Sequence, residues 1–309
     1  MDWSSLDTRI VLIASLAAIA CVLPGTFLVL KRMSMLTHAI AHAVLPGLVI
    51  AFLFVGSSNL PGLMIGALIA GIVTTMLVQW LSSKARIEQG VATGIVFTAL
   101  FALGIVLLRT FADRVHLHAD CIIEGQLTLA AARKATFLGI ELPRAAWLLL
   151  TVIGVNGVLL AIFWRPIVAS VLDPDHARLN GMRPEWMQQL LMVMTAVTTI
   201  AAFEAVGSIL VIALIVVPVA TAILLSDRLI VVFGLALAIG VLCAVLGHVL
   251  AVVVPGPLTT ALLGSDLGGR VDDTSSAGAI AVTYGIVFLL TALLFGRDAP
   301  LRKRLRATG

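Results

Sequence analysis

The sequence carries little charge, and this scarcity excludes most classes of soluble protein. Only 12% of its 309 residues are charged and 61% are hydrophobic, whereas soluble domains have about 25% charged and roughly 45–50% apolar residues. Mean hydropathy is +1.13, so most of the chain has to face lipid or other buried helices. A soluble enzyme with a small membrane anchor is therefore excluded.

Motifs of several enzyme classes are missing as well. The chain has no GxxxxGK[ST] phosphate-binding loop and no Gly-Lys dipeptide, so it does not cradle ATP phosphates by a P-loop. Its three cysteines have no CxxC spacing. Aromatic residues make up 6%, and the 20 Lys and Arg are spread over short loops and a basic tail, which argues against nucleic-acid binding despite a net charge of +4. We therefore expect neither an enzyme nor a permanently bound cofactor.

The sequence does contain a series of long apolar runs. A helix that spans a bilayer needs about 20 predominantly apolar residues. Nine segments are of this kind, roughly 10–30, 39–56, 61–81, 91–108, 145–164, 187–203, 206–225, 229–254 and 277–296. They predict an all-α, polytopic transmembrane bundle of about nine spans, within a range of eight to ten, forming a single transmembrane domain over residues 1–309. The connection 109–144 has room for a re-entrant helix.

The basic residues predict an orientation. Nine spans place the two termini on opposite sides of the membrane. With the N-terminus outside, thirteen of the Lys and Arg fall on inside segments and seven on outside segments, and five of those seven lie in the connection 109–144. Because short cytoplasmic loops are enriched in Lys and Arg, we predict that the N-terminus is outside and the C-terminus inside. The segment 109–144 is then an external loop, and 297–309 is a basic cytoplasmic tail.

Two histidines near the start of the second apolar run form the most informative pattern. His38 and His42 are four residues apart, so on a helix they share one face. Neutral imidazoles bind divalent first-row metals, and ionisable residues inside a span are costly and usually functional. The pair indicates metal contact on a translocation path. A polar pair hydrogen-bonded to a neighbouring helix is the alternative, and the spacing alone leaves both open.

Other polar residues are secondary candidates for contact with a cation. His116, His118 and Asp120 lie in the predicted external loop, where they would capture a cation before entry or simply be solvated. Glu204 is a carboxylate between two apolar runs, so it either faces a pathway or marks a turn. His248, deep in the eighth run, is expected to be a hydrogen-bonded interior residue or else a ligand.

Four motifs follow one another along the chain and carry a family resemblance. They are MSMLTHAIAHAVLPG at 33–47, GVATGIVFT at 90–98, VHLHADCIIEG at 115–125 and FEAVGSILVIALIVVPVATA at 203–222, the last continued by SDRL at 226–229. With these motifs the chain resembles the membrane-spanning permease subunit of bacterial metal-chelate-type ABC importers for manganese, zinc and iron. The resemblance covers nearly the whole chain.

The resemblance implies a function and a set of partners. The chain would carry a divalent transition metal inward across the bacterial inner membrane, energised by ATP on a separate cytoplasmic ATP-binding subunit. It would sit in membrane lipid beside a second permease subunit, alike or different, and receive the metal from an extracytoplasmic metal-binding protein. A stand-alone secondary metal transporter or channel is the alternative, although Glu204 is its sole candidate for an intramembrane coupling carboxylate.

The resemblance also implies roles for particular residues. In the family, an Asp and a His of the first motif contact the metal; His42 matches the His, whereas His38 replaces the Asp. Two imidazoles make a softer, uncharged site, which would tilt the preference from manganese towards zinc or iron, unless this subunit is the less metal-engaged half of a heterodimer. The region 206–228 resembles the one that couples to the ATPase. The residues expected to make that coupling are Pro218, Ala220, Thr221, Ser226, Asp227 and Arg228.

Overall fold

The computed structural model describes residues 5–55, 60–111, 127–132, 134–137, 140–253 and 275–295. Within these ranges nine helices are long and apolar enough to cross a membrane, and each predicted apolar run coincides with one of them. They are α1 (Ser5–Leu30), α2 (Met35–Val55), α3 (Leu60–Ala85), α4 (Gln89–Thr110), α6 (Arg144–Leu172), α8 (Pro184–Val206), α9 (Ser208–Leu225), α10 (Leu229–Val253) and α11 (Ser276–Phe295). The predicted number of spans is therefore confirmed.

The described part of the connection 109–144 contains short secondary structure. A six-residue helix, α5 (Leu127–Ala132), precedes two antiparallel strands, β1 (Lys134–Phe137) and β2 (Ile140–Pro143). The all-α fold class is confirmed by the nine long helices. The prediction rested on long apolar runs and did not anticipate these two four-residue strands. Residues 112–126 of this connection and the tail 297–309 lie outside the described residues.

Three prolines lie inside spans without ending their helices. Pro24, Pro46 and Pro218 are within α1, α2 and α9, and each helix continues through its proline. The non-helical backbone lies instead at Phe163 of α6 (φ −101°, ψ 16°). It is three residues before Pro166, whose ring and missing N–H prevent the normal hydrogen bond to the carbonyl one turn earlier. The sequence analysis did not single out Pro166.

The chain divides into two compact units. Unit 2 comprises residues 23–123 and 151–204. In it α2 packs against α3 and α4, and α3 packs against α4. Its α6 and α8 are joined by a buried hydrogen bond of 2.6 Å from Asn156 Nδ2 to Thr198 Oγ1. Near one end, Lys31 Nζ donates to Gln188 Oε1 at 2.9 Å. Burial lowers the pKa of this ammonium group, and the Glu185 carboxylate partly offsets that effect.

Polar contacts within unit 2 order the connection between α6 and α8. Its short helix α7 (Pro174–Leu179) begins at Asp173, whose side chain accepts a hydrogen bond of 2.9 Å from His176 N. Such a cap satisfies a backbone donor that the first helical turn leaves without an intrahelical partner. Arg178 then bridges Asp175 and Glu185 at 3.1 and 2.6 Å. The connection is thus a folded segment, although its charged side chains are exposed.

Unit 1 comprises residues 1–22, 124–150 and 205–309. Here α9, α10 and α11 pack against one another. The hydroxyl of Tyr284 on α11, fully buried, donates to the carbonyl of Gly240 on α10. Gly240 also faces Ala18 of α1. Small residues at such positions allow helix backbones to approach closely, which is how spans associate in lipid without a hydrophobic driving force between them.

Candidate functional site: an imidazole pair against two phenyl rings

The two histidines of the first motif lie side by side on α2. Their ring centroids are 4.6 Å apart and the rings meet edge to face at 70°. His38 is exposed and His42 is half-buried. Both are in the first turns of a helix whose start is fixed by a hydrogen bond from Leu36 N to Met33 O. The spacing of four residues therefore produces the shared face that the sequence predicted.

Two phenyl rings of α4 stand next to the imidazoles. Phe97 has its ring centroid 5.7 Å from that of His38 and 5.6 Å from that of His42. Phe101 lies 5.5 Å from His42 and stacks on Phe97 at 5.9 Å. The sequence analysis missed both rings as site residues. A signal was present, because Phe97 belongs to the second motif and Phe101 follows it at the same spacing of four.

Close backbone packing brings α2 and its neighbours together. Gly47 of α2 and Gly66 of α3 face each other so tightly that a Cβ at either would collide with the other's backbone. On the other side of α2, Gly104 of α4 leaves room for Leu45 and Pro46, and a Cβ there would stand 3.2 Å from Leu45 Cβ. Glycines at these contacts set the distance between the helices.

The arrangement presents two imidazole rings side by side as candidate nitrogen ligands for a cation. A neutral imidazole offers one lone pair, so His38 and His42 together supply two ligand positions. Within the described residues, no group of three or more His, Cys, Asp and Glu could hold a metal ion. The remaining positions would be filled by water or by another subunit.

Of the other predicted metal contacts, Glu204 forms no group of three or more potential ligands with this pair within the described residues. Glu204 is half-buried in the last turn of α8, three residues before Gly207, whose φ of +84° separates α8 from α9. Glu204 therefore lies next to the break between two helices. His116, His118 and Asp120 lie outside the described residues.

The predicted coupling residues fall into two groups along unit 1. Pro218, Ala220 and Thr221 lie inside α9, where the Thr221 hydroxyl donates to Val217 O at 2.7 Å. Ser226, Asp227 and Arg228 form the turn between α9 and α10. In that turn Ser226 N donates to Ala222 O at 3.0 Å, and Asp227 and Arg228 are exposed. Only the turn residues are at the end of a span, where another protein can reach them.

His248 of α10 is an interior residue of unit 1. Its side chain is 1% exposed and its Nε2 lies 3.3 Å from Asp7 Oδ1 of α1. The interaction joins two helices that are far apart in sequence. It corresponds to the hydrogen-bonded interior role among the two that the sequence left open.

Comparison with known proteins shows the family to which this chain belongs. Residues 6–265 match the model of the ABC 3 transport family. The chain is 34% identical over 303 residues to the manganese transport system membrane protein MntD of Bacillus subtilis, covering 98% of this chain and 96% of that protein. It is 32% identical over 297 residues to the zinc transport system membrane protein TroD of Treponema pallidum, covering 96% and 76%.

A solved structure has the same fold. The chain aligns with PsaBC from Streptococcus pneumoniae, solved in complex with Fab, at a TM-score of 0.71 and 23% identity. The alignment covers 99% of this chain and 96% of that one. Together with the sequence matches, this confirms the predicted resemblance. It also confirms that the chain is a multi-pass membrane protein and a transport subunit rather than an ATPase.

Proposed function

Because this chain belongs to the ABC 3 transport family, we propose that it is the permease through which an importer carries a divalent transition metal ion, manganese, zinc or iron, into the cell. The metal is the transported substrate, and ATP is bound and hydrolysed on a separate subunit. The observation that carries the proposal is the pair His38 and His42, with ring centroids 4.6 Å apart on one face of a membrane-spanning helix. Relatives named for manganese and zinc transport support the class of cargo.

The mechanism assigned to the pair is transient coordination. A cation arriving partly dehydrated would exchange water for the two imidazole nitrogens, and it would leave when the helices repack. Two protein ligands leave the coordination shell incomplete, unlike the closed four-ligand sites that retain zinc, so the ion can be released. Nucleotide binding on the partner would shift the permease between outward-facing and inward-facing packings, as a ligand shifts any two-state equilibrium.

The test is metal uptake by cells that carry the complete transporter. His38→Ala and His42→Ala should each reduce uptake of the transported metal at least tenfold, with the protein still present in the membrane at normal amounts. His176→Ala is the matched control, because that imidazole is exposed on α7, outside the spans. Normal uptake by both α2 variants would remove the pair from the path.

We further propose the orientation with the N-terminus outside and the C-terminus inside, on the strength of the thirteen-to-seven distribution of Lys and Arg. In a cysteine-free variant, a single cysteine at exposed Thr110, at the end of α4, should react with a membrane-impermeant thiol reagent in intact cells. A cysteine at exposed Arg228 should react only after permeabilisation. The reverse pattern would invert the topology.

We propose that the turn Ser226–Asp227–Arg228 contacts the ATP-binding subunit, with Pro218, Ala220 and Thr221 shaping the helix that leads to it. Exposure of Asp227 and Arg228 at the end of a span supports this role. The double variant Asp227→Ala/Arg228→Ala should lose co-purification with the ATPase. Arg183→Ala, an exposed arginine on the connection between α7 and α8, serves as control. Equal co-purification of the two would place the coupling contact elsewhere.

The remaining partners in this proposal are a second permease subunit and an extracytoplasmic metal-binding protein. We assign His116, His118 and Asp120 to the external loop that contacts the metal-binding protein.

The rival function is a stand-alone secondary transporter or channel. Reconstitution of the purified chain alone into vesicles discriminates between them. The ABC assignment predicts no metal flux without the ATPase, and flux driven by an ion gradient would favour the rival.

A further inference from the structure

The phenyl rings of α4 occupy the space beside the imidazole pair. Phe97 is within 5.7 Å of both imidazole centroids, and Phe101 is within 5.5 Å of His42. The two phenyl rings stack with an interplanar angle of 27°. They therefore form one continuous carbon wall rather than two separate contacts. We call Phe97 and Phe101 the phenyl wall.

A wall of carbon limits how many ligands can surround a metal on the imidazoles. Phenyl carbons supply no lone pair to a cation, and they exclude the water that would otherwise fill a coordination position. Phe97 and Phe101 are both half-buried, and their rings contact the imidazoles of α2. On this side a bound ion would meet phenyl carbon in place of an oxygen ligand.

Divalent metals differ in their tolerance of such a site. Zinc is typically four-coordinate and tetrahedral, and accepts imidazole nitrogen readily. Manganese is better suited to carboxylate, carbonyl and water oxygens in six-coordinate, octahedral sites. Two imidazoles beside a carbon wall provide the nitrogen ligands and low coordination number that suit zinc. They lack the oxygen ligands and open space that suit manganese.

We propose that Phe97 and Phe101 are specificity-determining residues, which restrict the coordination number at His38 and His42 so that zinc is transported in preference to manganese. The inference rests on the proposed function, because it requires that the metal pass the imidazole pair. It adds a substrate preference, and it assigns that preference to two residues on a different helix from the ligands.

The experiment measures initial uptake of zinc and of manganese, each alone and in competition, by cells that carry the complete transporter. Phe97→Ala and Phe101→Ala open the wall and should raise the manganese-to-zinc uptake ratio about tenfold, which corresponds to about 1.4 kcal/mol. Phe54→Ala is the matched control, because Phe54 is on the imidazole helix α2 rather than on α4, lies twelve residues after His42 and is 89% exposed. It should leave the ratio unchanged.

If the alanine variants do not accumulate in the membrane, smaller changes at Phe101 still test the proposal. Phe101→Leu and Phe101→Val shorten the side chain in two steps, and the ratio should rise with each step. A flat ratio across every variant that accumulates would overturn the proposal. So would an equal fall in uptake of both metals, which would mean that the rings only support the fold.

His42→Ala in the same assay separates the two claims. If His42→Ala abolishes uptake while the phenyl variants leave the ratio flat, the specificity inference fails and the proposed path stands. If His42→Ala transports both metals normally, the path itself is wrong, and the inference falls with it.

Discussion

Gly104 on α4 lies against the pyrrolidine ring of Pro46 on α2, so closely that a Cβ at residue 104 would stand 2.9 Å from Pro46 Cδ. This contact sets the distance between the helix that carries the imidazoles and the helix that carries the phenyl wall. Phe101 is three residues before Gly104, and His42 is four residues before Pro46. The packing of a glycine on a proline therefore determines the geometry of the candidate site one turn away.

Gly104→Ala should push α4 away from α2 and disturb the contacts of Phe97 and Phe101 with the imidazoles. We expect a stability loss of about 1–3 kcal/mol, typical of overpacking, and reduced metal uptake. Thermal unfolding in detergent and uptake in cells check the two effects. Gly94→Ala on the same helix is the control, because a Cβ there meets nothing within 4 Å. If Gly104→Ala and Gly94→Ala have equal stability and equal metal uptake, Gly104 does not set the distance between α2 and α4.

The hydrogen bond between Asn156 and Thr198 should join α6 to α8 with modest energy. The Thr198 hydroxyl already donates to Met194 O at 2.7 Å, so it accepts from the Asn156 amide. A double-mutant cycle with Asn156→Ala and Thr198→Val should give a coupling energy of about 0.6 kcal/mol, and at most about 1.7, as for other hydrogen bonds between membrane helices. Additive losses would show that the bond contributes nothing.

The contact between Asp7 and His248 should stabilise unit 1. His248 is 1% exposed, and replacing a hydrogen-bond partner of a buried polar group costs about 1–3 kcal/mol. Asp7→Ala should therefore lower the unfolding temperature more than Asp7→Asn, which retains a side-chain oxygen for the imidazole. Differential scanning fluorimetry of the purified variants measures the difference. If the asparagine variant unfolds at the same temperature as the alanine variant, the hydrogen bond to Asp7 does not stabilise unit 1.

Gly247 of α10 should not tolerate a side chain. A Cβ at this position would lie 2.5 Å from Ile280 Cα of α11, so Gly247→Ala has to separate the two helices at a cost of about 1–3 kcal/mol. Gly234→Ala, on the same helix with nothing within 4 Å, should be neutral or slightly stabilising because alanine favours helix. Unfolding in detergent compares the two. If Gly247→Ala and Gly234→Ala are equally stable, α10 and α11 can move apart at residue 247 without a measurable loss of stability.

Whether a feature was predicted correctly depended on how far apart in the chain the interacting residues lie. The nine spans were found because length and hydropathy are local properties, readable from about 20 consecutive residues. The effect of a proline on its helix is not a local property of this kind: Pro24, Pro46 and Pro218 lie within continuous helices, whereas the backbone departs from helix near Pro166. Whether neighbouring helices can satisfy a freed carbonyl depends on packing that the local sequence does not contain.

By itself, the sequence determined that this chain spans the membrane repeatedly and that His38 and His42 share a helix face. Each apolar helix satisfies its own backbone hydrogen bonds in lipid, and four residues make about one helical turn. Only the tertiary structure decided what stands beside that face. Phe97 and Phe101 meet the imidazoles because Gly104 lets α4 pack on Pro46. That contact joins residues more than fifty positions apart, and no local pattern specifies it.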